Sequence, residues 1–145
     1  FRDSDAEIES RTGVDISYIF SREGEDGFRQ REREVIEDVT RESPIVLATG
    51  GGAILLPENR KALHERGFVV YLETSLEQQA ERVRQGRNRP LLHDVDPLTK
   101  LTELMVIRAP LYESLADFTI ATDGRKVHVV ADAILAAFKA AEESP

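Results

Sequence analysis

The run Ile45-Val46-Leu47-Ala48-Thr49-Gly50-Gly51-Gly52 decides the fold. Its first five residues are apolar or small and read as a strand buried on both faces, the kind found inside a parallel sheet. Three consecutive glycines then clear every side chain from the strand's C-terminal edge. In an open α/β sheet that edge is where ligands bind. Bare backbone there lets a ligand approach closely and presents N–H groups to anionic oxygens. The plainer alternative is a loose turn before the next helix, and the triplet alone does not separate the two.

Downstream, Pro57 opens a helix that runs to Arg66 and stops at Gly67. Phe68–Glu73 is the next buried strand, and Ser75 with Gln78 forms a capping-box pattern that starts a helix running through Arg82 towards Gly86. The polar stretch Arg84–Pro97 reads as a mobile surface segment with Pro90-Leu91-Leu92 as an apolar contact. A helix from Leu98 to about Ile107 follows, then Arg108-Ala109-Pro110-Leu111-Tyr112. Phe118–Thr122 is the last strand, and His128–Ala141 closes the chain as a helix with Val130, Ile134 and Phe138 facing inward.

Upstream, Phe1–Asp3 looks like a strand tail. Asp3, Ser4 and Asp5 are all good N-caps for a helix over Ala6–Thr12, ended by Gly13. Capping alone would explain both aspartates. Two carboxylates at a strand end can also hold a metal-bridged phosphate and a substrate hydroxyl. A short helix over Asp15–Ser21 presents Ile16, Ile19 and Phe20 to the core. After the turn Glu23–Gly27 a long helix spans roughly Gly27–Arg41, with Phe28, Val35 and Val39 as its apolar stripe. Arg29 and Glu32 are three apart and share a face of it. A cation near a helix start is poorly placed for the dipole. That favours a task for Arg29 over the commoner solvated arginine.

The chain of 145 residues suits one domain over 1–145 with one core, and no linker or repeat divides it. It has no cysteine, which excludes disulfides and thiolate metal sites. The net charge of −8 argues against a nucleic-acid partner. Arg82, Arg84, Arg87 and Arg89 nevertheless cluster, which suits a small anionic ligand. No run reaches transmembrane length and no signal peptide is evident, so a cytoplasmic protein without a membrane partner is expected. The chain opens on Phe1 rather than Met, which reads as a processed, truncated or partial chain. Strands alternating with helices mean an α/β fold with a parallel sheet. Four strands make a thin sheet for this many helices, and one more central strand would make the architecture ordinary.

Asp3-Ser4-Asp5, Phe28-Arg29, Thr49-Gly50-Gly51-Gly52, Arg89-Pro90-Leu91-Leu92 and Arg108-Ala109-Pro110-Leu111-Tyr112, in this order and at these separations, resemble the shikimate kinases from end to end of the chain. The resemblance implies a three-layer P-loop-kinase-like fold of sheet order 2-3-1-4-5. It implies phosphorylation of the shikimate 3-hydroxyl by ATP with Mg2+, a step of the chorismate pathway to aromatic amino acids, by a monomer whose partners are these small molecules. Arg29 and Arg108 match the arginines that hold the substrate carboxylate, for which planar guanidinium forks are suited. Asp5 matches the aspartate that accepts from the ring hydroxyls and takes the attacking proton. Gly51, with Gly50 and Gly52, matches the backbone lying against the substrate, and Asp3 the carboxylate near magnesium, acting through water. Arg89 matches the arginine of a lid over about 84–97 that closes on the phosphates. Arg82 matches an adenine-stacking arginine, Arg125 lies in the equivalent of the adenine loop, and Glu32 orients Arg29.

One family motif is absent. These 145 residues contain no G-x-x-x-x-G-K-[ST]. In the family it lies upstream of the aspartate pair with the first strand and helix, a piece of roughly thirty residues by the size of such units, and that first strand is central in the order 2-3-1-4-5. The expectation is therefore an α/β sheet lacking its first strand and helix, of low stability, with catalysis by this chain alone in doubt. Two other functions fit some of the same residues: a shikimate-binding module without catalysis, and a small P-loop kinase for another sugar acid such as gluconate.

Overall fold

The computed structural model describes residues 1–85 and 97–143, the side chains of 83–85 and 97 excepted. The strand tail at the start is β1 (Arg2–Asp3), which passes directly into α1 (Ser4–Thr12). Asp3 is the N-cap: its Oδ1 accepts the backbone N–H groups of Asp5 and Ala6 at 2.9 and 3.1 Å. Gly13 ends the helix in the left-handed conformation, φ 75°, as a C-terminal glycine should.

The two helices expected next are one element, α2 (Ile16–Val39), bent at Gly24. The anticipated five-residue turn shrinks to this residue, whose φ of 74° and ψ of −178° only glycine adopts without strain. Arg31 reaches back over the bend to Glu23, with N–O distances of 2.9 and 2.7 Å. The stripe Phe28, Val35 and Val39 packs with Ile8, Ile16 and Ile19 into the main core, and Phe20 lies 4.9 Å from Phe28, ring centre to ring centre.

The strand of the glycine run is β2 (Leu47–Ala48), shorter than read, and parallel to β1 with Arg2 opposite Leu47 and Asp3 opposite Ala48. It is not buried on both faces. Ile45 and Leu47 pack on the main core, whereas Val46 points to the opposite face and is 68% exposed. A strand is covered on both sides only where layers flank both. Among the described residues no such layer covers Val46.

After the strand, Gly51–Leu55 forms a 3-10 helix leading into α3 (Pro57–Arg66), with proline at its start as expected. The buried Asn59 joins the two, donating from Nδ2 to the carbonyl of Ala53 at 2.9 Å. Then come β3 (Val70–Glu73), α4 (Leu76–Gln85), α5 (Pro97–Leu115), β4 (Phe118–Ala121) and α6 (Val127–Glu143). β3 and β4 are parallel, in register from Val70–Phe118 to Glu73–Ala121. β3 too is less buried than read, with Leu72 52% exposed.

The Ser75 cap of α4 is present, accepting the N–H of Gln78 at 3.2 Å. The reciprocal half of the expected box is replaced, because the Asp123 carboxylate, not Gln78, accepts the Ser75 N–H. The helix expected to end near Ile107 instead continues through Pro110 to Leu115. Proline removes one helical N–H, whose partner would be the carbonyl of Val106. Val106 lies on the exposed face of the helix, while Leu101 and Leu115 anchor it in buried positions on either side. In α6, Val130 is buried, but Phe138 sits at the rim, 38% exposed and edge-on to Phe68.

The strands thus form two separate parallel pairs, β1–β2 and β3–β4. In the order 2-3-1-4-5 these are the pairs 2-3 and 4-5. No strand among the described residues lies between them.

Candidate active site

The three glycines form the floor of the site, and each is touched by a different side chain of interest. A Cβ added at Gly50 would lie 3.1 and 3.2 Å from the two carboxylate oxygens of Asp5. At Gly51 it would lie 3.1 Å from the Tyr112 hydroxyl and 3.2 Å from Arg108 Nη1, and at Gly52 it would overlap the Arg29 guanidinium, 2.6 Å from Cζ. Side chains from α1, α2 and α5 therefore close on one strand end that only glycine leaves bare. Asp5 arrives because β1 and β2 are parallel neighbours, so both C-terminal ends open on the same edge.

Arg29 is 8% exposed and lies in the half of α2 that follows the Gly24 bend. Its Nη1 is 2.9 Å from Glu32 Oε1, and Glu32 is fully buried. The three-residue spacing on one helix face puts the pair together. Burial pushes the Glu32 carboxyl up from its ordinary range, with Arg29 pulling it back down; Asp5 adds to the rise and Arg108 opposes it. One carboxylate thus feels all three of the charged side chains that touch the glycines. The remaining edge of Arg29 rests loosely on Glu25 at 3.4 Å, a side chain nearly half exposed. Arg108 has a buried Nε–H with no acceptor. A buried donor left unsatisfied is costly, and the guanidinium that carries it faces the bare backbone of Gly51 through Nη1.

Asp3 spends Oδ1 on the cap of α1. Arg82 is exposed on α4 and Arg125 is exposed in the turn before α6, where its N–H donates to the Thr122 carbonyl. The structure brings neither to the glycine triplet. Arg89, Arg84, Arg87, the Pro90-Leu91-Leu92 contact and the lid expected over 84–97 lie outside the described side chains. A surface cleft of about 310 Å3 beside Val14, Ile19, Arg22 and Arg31 gathers none of the expected residues.

Sequence reading passed over Tyr112. Its hydroxyl donates to the Gly51 carbonyl, and its ring stacks on Tyr71 of β3 at 4.7 Å. The signal was its four-residue spacing from Arg108, which places both on one helix face. Ending the helix at Ile107 hid it.

Against known proteins the agreement is broad. The family model for shikimate kinase matches residues 1–139. A shikimate kinase of Hahella chejuensis is 50% identical over 143 residues, covering 99% of this chain and 74% of the relative, and one of Pasteurella multocida is 52% identical over 136 residues, covering 93% and 78%. Among solved structures, shikimate kinase of Acinetobacter baumannii in complex with shikimate superposes with a TM-score of 0.95 at 45% identity, over 99% of this chain and 80% of that one. The Aquifex aeolicus enzyme gives 0.83 at 29% identity, over 100% and 84%. A family match over nearly the whole length, relatives at half identity and a shared fold lead to one conclusion: the chain belongs to the shikimate kinase family.

Proposed function

We propose that the chain phosphorylates shikimate at its 3-hydroxyl with ATP, and that the glycine triplet is where shikimate lies. The observation that carries this reading is the convergence of Asp5, Arg108 and Arg29 on Gly50, Gly51 and Gly52, with a buried Arg108 N–H lacking an acceptor. A ligand carboxylate supplies that acceptor. It also takes the edge of Arg29 that Glu25 holds loosely, and a planar carboxylate suits two guanidinium forks. Glu32 keeps Arg29 fixed for this, since a short bond inside the protein leaves the guanidinium one orientation.

Asp5 faces the ring hydroxyls and accepts the proton of the attacking one. The hydroxyl oxygen bonds to the γ-phosphorus as the bond from that phosphorus to the β,γ-bridging oxygen breaks, and ADP leaves. Arg89, Arg82 and Arg125 serve the nucleotide in this reading, Arg89 by balancing the charge that spreads over the transferring oxygens. In this reading the chain acts as a monomer on small molecules alone.

Among the described residues no three His, Cys, Asp or Glu side chains gather into a metal site. That fits magnesium in a kinase, which keeps several waters and takes one or two carboxylates together with substrate phosphates. Asp3 fits as such a carboxylate, because both cap hydrogen bonds fall on Oδ1 and leave Oδ2. When bound, magnesium neutralises phosphate charge.

The test is ADP release from Mg-ATP with shikimate and, separately, gluconate as acceptor. Release with shikimate alone is expected, and equal release with both sinks the assignment. Calorimetric binding of shikimate with no ADP release under any condition would decide instead for binding without transfer.

A further inference from the structure

We propose that Tyr112 is a positioning residue that acts through Arg108, setting how tightly the site holds its substrate's carboxylate. The inference rests on the placement of shikimate at the glycine triplet. Tyr112 ties α5 to the backbone that follows β2 at the point where Arg108 approaches it. Its hydroxyl donates to the carbonyl of Gly51, the same glycine that Arg108 Nη1 faces.

Arg108 and Tyr112 are one helical turn apart on the same face of α5, so a fixed Tyr112 fixes the height of Arg108 over the glycines. Tyr71 of β3 backs the phenol ring at 4.7 Å, with 29° between the rings. The Tyr112 ring is thus held from the β3 side while its hydroxyl holds the β2 side. Burial raises the phenol's pKa, with Arg108 pulling the other way, so at neutral pH the hydroxyl is a donor. Its hydrogen bond to Gly51 needs no group of the substrate, and it therefore acts on the geometry of the guanidinium before binding.

Tyr112→Phe removes the oxygen and keeps the stacked ring, so the fold should survive. The test is calorimetric titration of shikimate into the full chain as wild type, Tyr112→Phe, Arg108→Ala and the double variant, with thermal unfolding of each. Loss of one neutral hydrogen bond should weaken binding about 3- to 10-fold in Tyr112→Phe. It should add little in the Arg108→Ala background, because two residues that act through each other are not additive. In turnover, KM for shikimate should rise while kcat stays within about twofold. Unchanged affinity in Tyr112→Phe, or the same loss in both backgrounds, overturns the inference. Failure of the wild type to bind shikimate instead overturns the placement of substrate on which it rests.

Discussion

Replacing Gly52 by alanine adds one carbon where the structure leaves no room. That Cβ would lie 2.6 Å from Arg29 Cζ, far inside the roughly 3.5–4.0 Å at which carbon atoms rest. The backbone at Gly52 needs no left-handed φ, so the whole effect is steric. Arg29 has little freedom to retreat, being bonded to a fully buried Glu32 and packed over the Phe28 ring at 5.2 Å. Driving the guanidinium off Glu32 would cost about 3–5 kcal/mol, the usual loss when a buried pair is broken. Shifting the 3-10 helix instead costs about 1–3 kcal/mol, the range for overpacking, and the cheaper route prevails. At about 2–4 °C per kcal/mol for a chain somewhat larger than this one, the midpoint of unfolding should fall by roughly 3–10 °C. The Gly50→Ala and Gly51→Ala contacts begin at 3.1 Å with polar side-chain ends, so their losses should be smaller. Thermal circular dichroism of the three variants gives the order, and shikimate titration should show all three weakened. Wild-type stability and affinity in Gly52→Ala, or a Gly51→Ala variant less stable than Gly52→Ala, would refute the packing of Arg29 on this backbone.

Asp5→Asn keeps shape but cannot take a proton at neutral pH, so kcat should fall about 10²- to 10⁴-fold with a much smaller change in shikimate KM; a raised KM with kcat unchanged would make Asp5 a binding group only. Burial raises the Glu32 pKa in the folded chain, so the folded state holds its proton at pH values where the unfolded chain has released it. The stability gained is full below the ordinary carboxylate range and is lost as pH rises through the raised value. Unfolding midpoints of wild type minus Glu32→Gln, measured against pH, should therefore decline across that window. The difference matters because Glu23 and Glu37, lowered by their arginine partners, slope the other way in both proteins. A flat or rising difference contradicts the assignment.

Features governed by local rules were legible in the sequence. Gly13, Pro57, the Ser75 cap of Gln78 and the Arg29–Glu32 spacing all stand where single-element chemistry puts them. Features set by distant packing were not. Pro110 looked like a helix end, but burial of Leu101 and Leu115 outweighs one missing hydrogen bond. Val46 looked like a core residue because an apolar run carries no sign of which layers cover it, and here it is exposed. Phe138 reached only the rim for the same reason. The glycine triplet announced close approach, yet the identity of the approaching groups came from resemblance to a family. Spacing alone could not say that Arg29 and Arg108, 79 positions apart by their numbers, meet one strand end. Tyr112 escaped because a helix ended at Ile107 hides its four-residue spacing from Arg108, and its partner, a backbone carbonyl, leaves no mark of its own in a sequence.

The central claim is that two guanidinium groups, gathered by bare backbone, read a carboxylate. Its most direct measurement is calorimetric titration of the chain with shikimate and with shikimate methyl ester, repeated for Arg29→Met and Arg108→Met. Charge-assisted hydrogen bonds contribute about 1.5–3 kcal/mol each, so the wild type should prefer the acid by at least about 10-fold, and each substitution should erase most of that preference. Equal affinity of the wild type for acid and ester, or a preference untouched by both substitutions, would contradict it.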